Sequence, residues 1–449
     1  MIKEVTQVAL PVDEVLKIKK RRIFPSEIEA LKGSKKETAA KKLKRISIVT
    51  GTHGDELEGQ YVCFEVARRI EEHLEDLTGI VDIYPAMNPL GIDSITRGIP
   101  AFDLDMNRLF PGNIDGNMTE YLAAQIMKDV SGSDLVVDIH ASNIYLTEIP
   151  QIRINELHED TLVPMAEASN VDFVWVHGAS TVLESTFAYS LNSTGTPCLV
   201  VEMGVGMRIT KEYGEQLTDG IFNMMKKLGI WKGKVPKVRK PIISRNPDDV
   251  SYLNASVGGL FIQKVRHWEE LKKGELIGLI IDPLSGKVLD EVVSPVDGIL
   301  FTIREYPIAD GVLKEIMNYN WQVWDTQAFS FYTATTTRID RKSAGQSVLS
   351  IMKFLSALGI VKYQHQSSEK ESVVVRDTEM ISVQTAKSGI FEPLVKVGDE
   401  VSEGTPLANI VHPYDGEVME TLYAPKDGRI FFMHTDPLTY ANTAVFKLV

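Results

Sequence analysis

The stretch Arg45-Ile46-Ser47-Ile48-Val49-Thr50-Gly51-Thr52-His53-Gly54-Asp55-Glu56 decides how this chain is read. A short run rich in β-branched residues enters a glycine turn, and a helical pattern follows over 59–77. Strand, turn and helix in that order form the unit of parallel sheets. His53 and Glu56 sit in the turn, where an imidazole nitrogen and a carboxylate oxygen can address one metal ion. A catalytic zinc takes three such protein ligands plus a water. Such a pair also arises by chance, so its weight depends on what the rest of the chain supplies.

The alternation continues outward from this unit. Strand candidates occupy 46–51, 80–84, 135–139, 173–177 and 199–202, with helical patterns over 59–77, 119–130 and 211–228. Short apolar strands separated by amphipathic helices predict an α/β fold, a largely parallel sheet with helices on both faces. Ligands gather at the carboxyl ends of strands in such sheets. His53, Glu56, His140 and Glu202 all fall at or just after those ends.

His140 closes the run Asp134-Leu135-Val136-Val137-Asp138-Ile139-His140 and supplies a third candidate ligand. Asp138 lies two residues earlier on the same strand face and can orient the imidazole. Asn88-Pro89-Leu90-Gly91, Arg97 and Asp105-Met106-Asn107-Arg108-Leu109-Phe110-Pro111-Gly112 form a Gly/Pro-rich segment. Guanidinium groups bind carboxylates and oxyanions bidentately, so Arg97 and Arg108 suit such a group, with Asn107 as a neutral donor. Glu202, in Pro197-Cys198-Leu199-Val200-Val201-Glu202-Met203-Gly204, ends an apolar run where a carboxylate is costly without a role. Beside a metal-activated water it can take a proton and return it to a leaving amine.

Composition narrows the class of function. At 449 residues the chain is too long for one small core, and roughly two to four domains are expected. Apolar content of 44% and charged content of 24% are those of a globular protein. A net charge of -13 argues against nucleic acid as a partner, and the lysine-rich tract over 35–44 reads as a solvated lead-in to the strand at Ile46. Cys63 and Cys198 lie in apolar patterns as reduced core residues. No signal core or bilayer-spanning stretch is found, so a cytoplasmic protein with no membrane partner is expected. No phosphate-binding loop supports nucleotide use.

The second half is rich in Gly, Pro and short β-branched runs, and it repeats itself. An offset of 130, from Phe261 to Phe391, superposes Gly259-Leu260-Phe261 on Gly389-Ile390-Phe391. The same offset matches Gly274 with Gly404, Gly286 with Gly416 and Pro295-Val296-Asp297-Gly298 with Pro425-Lys426-Asp427-Gly428. Upstream it matches Arg208-Ile209 with Arg338-Ile339 and Leu228-Gly229-Ile230 with Leu358-Gly359-Ile360. One register over so long a span is the mark of tandem duplication. Tyr332 falls where Glu202 stands in the first copy, so the second copy reads as structural.

Taken together, His53-Gly54-Asp55-Glu56, Asn88-Pro89, Arg97, 105–112, Asp138-Ile139-His140 and Val201-Glu202-Met203-Gly204 resemble the succinylglutamate desuccinylase/aspartoacylase family, within the zinc carboxypeptidase-like fold. The resemblance spans most of the first 235 residues. It implies that His53, Glu56 and His140 bind Zn2+ and that Glu202 is the general base and acid. It implies that Arg97 and Arg108, with Asn107, hold a substrate carboxylate and polarise the scissile carbonyl. Ile149-Pro150-Gln151-Ile152-Arg153 is similar to a segment of bacterial members, which implies that Arg153 lines the pocket. The segment 259–301 resembles a barrel-sandwich, lipoyl-like β module. The expected organisation is a catalytic domain over 1–240, a first β module over 241–319, a duplicated strand-helix over 320–365 and a second β module over 366–449.

The implied activity is zinc-dependent removal of an acyl group from an N-acyl amino acid or related small amide, with a small carboxylate-bearing substrate. A homo-oligomer stays open. Alternatives are a carboxypeptidase acting on peptide C-termini and a non-catalytic binding protein on the same fold. A swinging-arm carrier would need a lysine at a hairpin tip; Lys287 is the nearest candidate, but its counterpart is Glu417 and no methionines flank it. His73 and His158 lie in charged segments read as exposed, His177 ends a strand from which it could approach the site, and His267, His365, His412 and His434 lack ligand spacing; Trp321 and Trp324 read as packing residues.

Overall fold

The structure, a computed structural model, describes residues 1–100, 104–178, 184–309, 341–363, 375, 379–413, 416–434 and 438–449. The strand half of the expected 320–365 segment lies outside these residues, with Trp321, Trp324, Tyr332, Arg338, Ile339 and His365.

The centre is a ten-stranded sheet. Its order is β1 (Ile2–Ala9), β2 (Val15–Ile23), β4 (Ile80–Tyr84), β3 (Arg45–Thr50), β5 (Leu135–His140), β8 (Cys198–Gly204), β6 (Leu146–Asn155), β7 (Phe173–His177) and β9 (Ile242–Ser244). The tenth strand, Thr302–Arg304, pairs with β6. β4, β3, β5 and β8 run parallel, as do β6, β7 and β9. β6 is antiparallel to β8, and β2 is antiparallel to β4, so the sheet is mixed and mostly parallel.

Successive residues of a strand point to opposite faces, and both faces are buried here. Ile46, Ile48, Leu135, Val137 and Ile139 face a core closed by helices Glu58–Glu72 and Lys211–Leu228. Val49 and Val136 face a second core closed by helix Met118–Val130. Double burial is why these strands read as near-continuous apolar runs. The helix boundaries have local causes. Met118–Val130 opens on a capping box in which Asn117 and Glu120 satisfy each other's backbone N–H. Lys211–Leu228 ends where Gly229 turns left-handed at φ +76. The pattern expected to run to Leu77 stops as an α-helix at Glu72 and continues as a 3-10 turn, Leu74–Asp76.

The sequence did not place β1, β2, β6, β9 or Thr302–Arg304 in this sheet. The hairpin β1–β2 extends the sheet past β4, and the ten-residue β6 enters antiparallel between β8 and β7. Among the described residues no helix is long and apolar enough to cross a membrane.

The C-terminal half holds small antiparallel sheets whose pairings coincide at the offset of 130. Phe261 opposes Ile280 as Phe391 opposes Ile410, and irregularities fall at Leu276/Gly278 and at Pro406/Ala408. Left-handed glycines recur in the same register: Gly229 and Gly359, Gly274 and Gly404, Gly286 and Gly416. Helix Arg341–Ala357 starts 130 positions after Lys211–Leu228. The first set of strands joins the main sheet through Thr302–Arg304, and Phe301 packs on Phe173. The second set rests on the β1–β2 turn, where Ser388 Oγ donates to Ala9 O (2.8 Å) and His412 Nε2 lies 3.2 Å from Asp13.

Candidate active site

The turn after β3 is shaped by close backbone approach. At Gly54 a Cβ would stand 1.9 Å from the carbonyl carbon of Gly91, so only glycine fits. Gly54 N–H also donates to Thr96 O (3.0 Å), which ties the turn to the segment carrying Arg97. Asn88 braces that segment, accepting from Gly91 N–H (2.9 Å) and donating to Gly98 O (3.1 Å). The Asn88-Pro89 motif therefore serves the scaffold, as an N-cap with proline at the first helical position.

His53, Glu56 and His140 converge, all buried, with ligand atoms within 4.8 Å of one another. His53 Nδ1 lies 2.7 Å from Glu56 Oε1, and His140 Nδ1 lies 2.9 Å from Glu56 Oε2. Each outer nitrogen meets a carboxylate: His53 Nε2 is 3.0 Å from Asp105 Oδ1, and His140 Nε2 is 3.1 Å from Asp138 Oδ2. An outer N–H held by a carboxylate fixes the tautomer that points the Nδ1 lone pair inward.

The electrostatics call for a cation at the centre. Burial alone would lower His53, but its hydrogen bonds to Asp105 and Glu56 outweigh it and raise the imidazole. His140 is likewise raised well above its ordinary value against burial, by Asp138 and Glu56. Burial would raise Glu56, yet both imidazoles hold its carboxyl at about 2. Positive charge shared between these three donors is what a divalent metal would supply, and two imidazole nitrogens with one carboxylate are an ordinary zinc set. Asp105→Asn is expected to weaken zinc binding about 10- to 100-fold; competition with a chelating indicator measures it, and unchanged affinity would remove Asp105 from the site.

Around this centre lies a cavity of about 440 Å3. Arg97 reaches Glu56 Oε1 (3.2 Å) and Asp105 Oδ2 (3.1 Å). Arg108 donates to Asn107 O (2.9 Å) and is half-exposed. Asn107 fixes the far wall, its Oδ1 accepting from Phe187 N–H (2.9 Å). Glu202 pairs in register with His140 across β8 and β5, which brings it beside the centre. Burial pushes its carboxyl up to about 7, offset in part by Arg153, with Glu148 and Glu56 adding to the rise. Arg153 lines the cavity with Nη2 on Glu148 (2.9 Å) and Nη1 3.6 Å from Glu202.

All eight candidate residues from the sequence line this one cavity. Sequence reasoning missed Asp105 as the partner of His53; its place two residues before Asn107 was the available signal. It also missed Glu148, for which no signal existed, and it set aside His158 and His177, which line the cavity.

A mostly parallel sheet thus carries a two-histidine, one-carboxylate centre with Glu202 beside it. Residues 42–228 match the succinylglutamate desuccinylase/aspartoacylase catalytic domain. A curated relative, N-alpha-acetyl-L-2,4-diaminobutyric acid deacetylase from Halomonas elongata, is 27% identical over 264 residues, covering 57% of this chain and 76% of its own length. Two solved structures share the fold. The product-bound ectoine utilization protein EutE from Ruegeria pomeroyi has a TM-score of 0.57 at 20% identity, covering 69% of this chain and 92% of its own. A succinylglutamate desuccinylase from a Silicibacter species has a TM-score of 0.58 at 21% identity, with the same coverage. Over residues 42–228 the chain is therefore similar to the catalytic domain of the succinylglutamate desuccinylase/aspartoacylase family.

Proposed function

We propose that this chain is a zinc-dependent amidohydrolase that removes the acyl group from an N-acyl amino acid. The observation that carries the reading is the convergence of His53, Glu56 and His140 around one point, with Glu202 beside them. His53 Nδ1, His140 Nδ1 and the Glu56 carboxylate would hold the ion, which when bound polarises a carbonyl and acidifies a water. Glu202 accepts a proton from the attacking water and delivers it to the departing nitrogen. Arg97 and Arg108 hold the substrate carboxylate, and a guanidinium facing the developing oxyanion stabilises it. Arg153 keeps Glu202 in place. The shared register and paired left-handed glycines of the C-terminal half support tandem duplication of a β module and its preceding helix, along the division at 240, 319 and 365.

The test is zinc content by elemental analysis together with amine release from N-acetyl and N-succinyl amino acids. About one zinc per chain with turnover of one acyl class supports the reading; absence of zinc overturns it. A pH dependence follows. Glu202 works as a base only when ionised; without the ion its carboxyl stands at about 7, so in the zinc enzyme kcat/KM falls as pH drops below that value. Bound zinc, being positive, moves the limb lower. A profile flat from pH 8 to about pH 5 would remove Glu202 as the base.

A further inference from the structure

One buried carboxylate behind the centre has no part in the chemistry above. Glu58, the first residue of helix Glu58–Glu72, is fully buried and does not line the cavity. It follows Glu56 by two residues, so its backbone continues the turn that carries two of the three ligands. This end of the helix is pressed on the ligand strands. At Gly59 a Cβ would stand 2.1 Å from Thr50 Oγ1, which itself donates to Ile139 O (2.9 Å), one residue before His140. The Glu58 carboxylate reaches from this anchored base into the bend that follows Glu202. Gly204 opens the bend at φ +71, and a Cβ there would stand 2.0 Å from Glu58 Oε1. Glu58 Oε2 accepts from Thr210 N–H at 2.8 Å, and Val205 N–H also donates to the carboxylate. Thr210 is the N-cap of helix Lys211–Leu228, where N–H groups lack partners within the helix and negative charge is favoured. A backbone link runs alongside, Met207 N–H to Asp55 O at 2.7 Å. The ligand turn and the bend after Glu202 are thus joined across 204–210, with Glu58 as the side-chain part of the join.

We propose that Glu58 is a positioning residue that fixes the distance between the metal centre and Glu202. The assignment rests on the deacylation reading above, in which Glu202 moves the proton. Glu202 stands two residues before Gly204, so releasing the bend lets its carboxylate drift from the attacking water. A displacement of about 1 Å at a reacting group can cost roughly 10²-fold in rate. Were Glu58 only a brace for the fold, its loss would lower stability and act on turnover whether or not Glu202 were present.

The experiment is a double-mutant cycle on the zinc-loaded full chain, using whichever N-acetyl or N-succinyl amino acid the wild type turns over. Glu58→Met keeps the length of the side chain and removes the carboxylate. It is expected to lower kcat about 10- to 100-fold, with KM within about threefold and zinc content unchanged. In the Glu202→Gln background the same change should lower kcat by less than about twofold, because the group it positions is gone. Glu58→Gln, which keeps an oxygen for Thr210 N–H, should return kcat to within about fivefold of wild type. If Glu58→Met does not fold, Gly204→Ala takes its place in the cycle, since its Cβ would displace the Glu58 carboxylate from the bend. Either variant with kcat within about twofold of wild type overturns the role of Glu58 while leaving deacylation standing. An equal loss in both backgrounds, a loss of zinc, or a Glu58→Gln variant as slow as Glu58→Met overturns it too. A wild type that turns over none of these amides removes the deacylation reading beneath it.

Discussion

Replacing Glu202 with glutamine is expected to lower kcat by roughly 10²- to 10⁴-fold, the usual contribution of a positioned general acid–base group, with zinc content unchanged. Glutamine keeps the volume and can still meet Arg153, 3.6 Å away, but it cannot take a proton from water. Glu202 is not among the three convergent ligand atoms, so the ion should remain. The strand is well anchored, with Val201 and Met203 fully buried on either side, and the substitution leaves that packing untouched. Elemental analysis and steady-state kinetics on one preparation check both halves. Turnover within tenfold of wild type would show that another group moves the proton.

His53→Ala is expected to abolish zinc binding, from about one ion per chain to less than roughly a tenth, because two ligands rarely retain a catalytic zinc. The loss has a second cause. With the imidazole gone, Asp105 loses its partner and Glu56 loses one of the two groups that hold it at about 2. Metal analysis after dialysis decides the matter, with a thermal melt to show that the fold persists. Full occupancy in this variant would falsify the ligand assignment.

Much of this was legible in the sequence where one local cause acts alone. β3, β5 and β8 are apolar because both faces of the sheet are covered. His53 and Glu56 share a turn, so their meeting needed no tertiary knowledge. What stayed hidden depends on partners far away in the chain. β2 reads Val-Leu-Lys-Ile-Lys-Lys-Arg-Arg-Ile, too basic to suggest an interior strand. Yet Lys20 is 3% exposed, because Asp82 (3.2 Å), Tyr84 (3.1 Å) and Asp129 (2.5 Å) surround its ammonium. Buried charges persist only when so paired, and these partners come from β4 and from helix Met118–Val130. Asp105 is silent for the same reason, lying 52 positions from His53. Glu148 owes its place to β6 running against its neighbour β8, a reversal that no local pattern signals.

The strand Thr302–Arg304 has a further consequence. It hydrogen-bonds to the opening residues of β6, including Glu148, and so supplies backbone partners to a strand that forms the wall of the cavity. β1 and β2, at the other margin, also lie outside residues 42–228. The segment that defines kinship is therefore shorter than the segment that must fold together. Inheritance and cooperativity draw different borders on this chain, and an excised 42–228 fragment would carry the chemistry's residues without the scaffold that sets their positions.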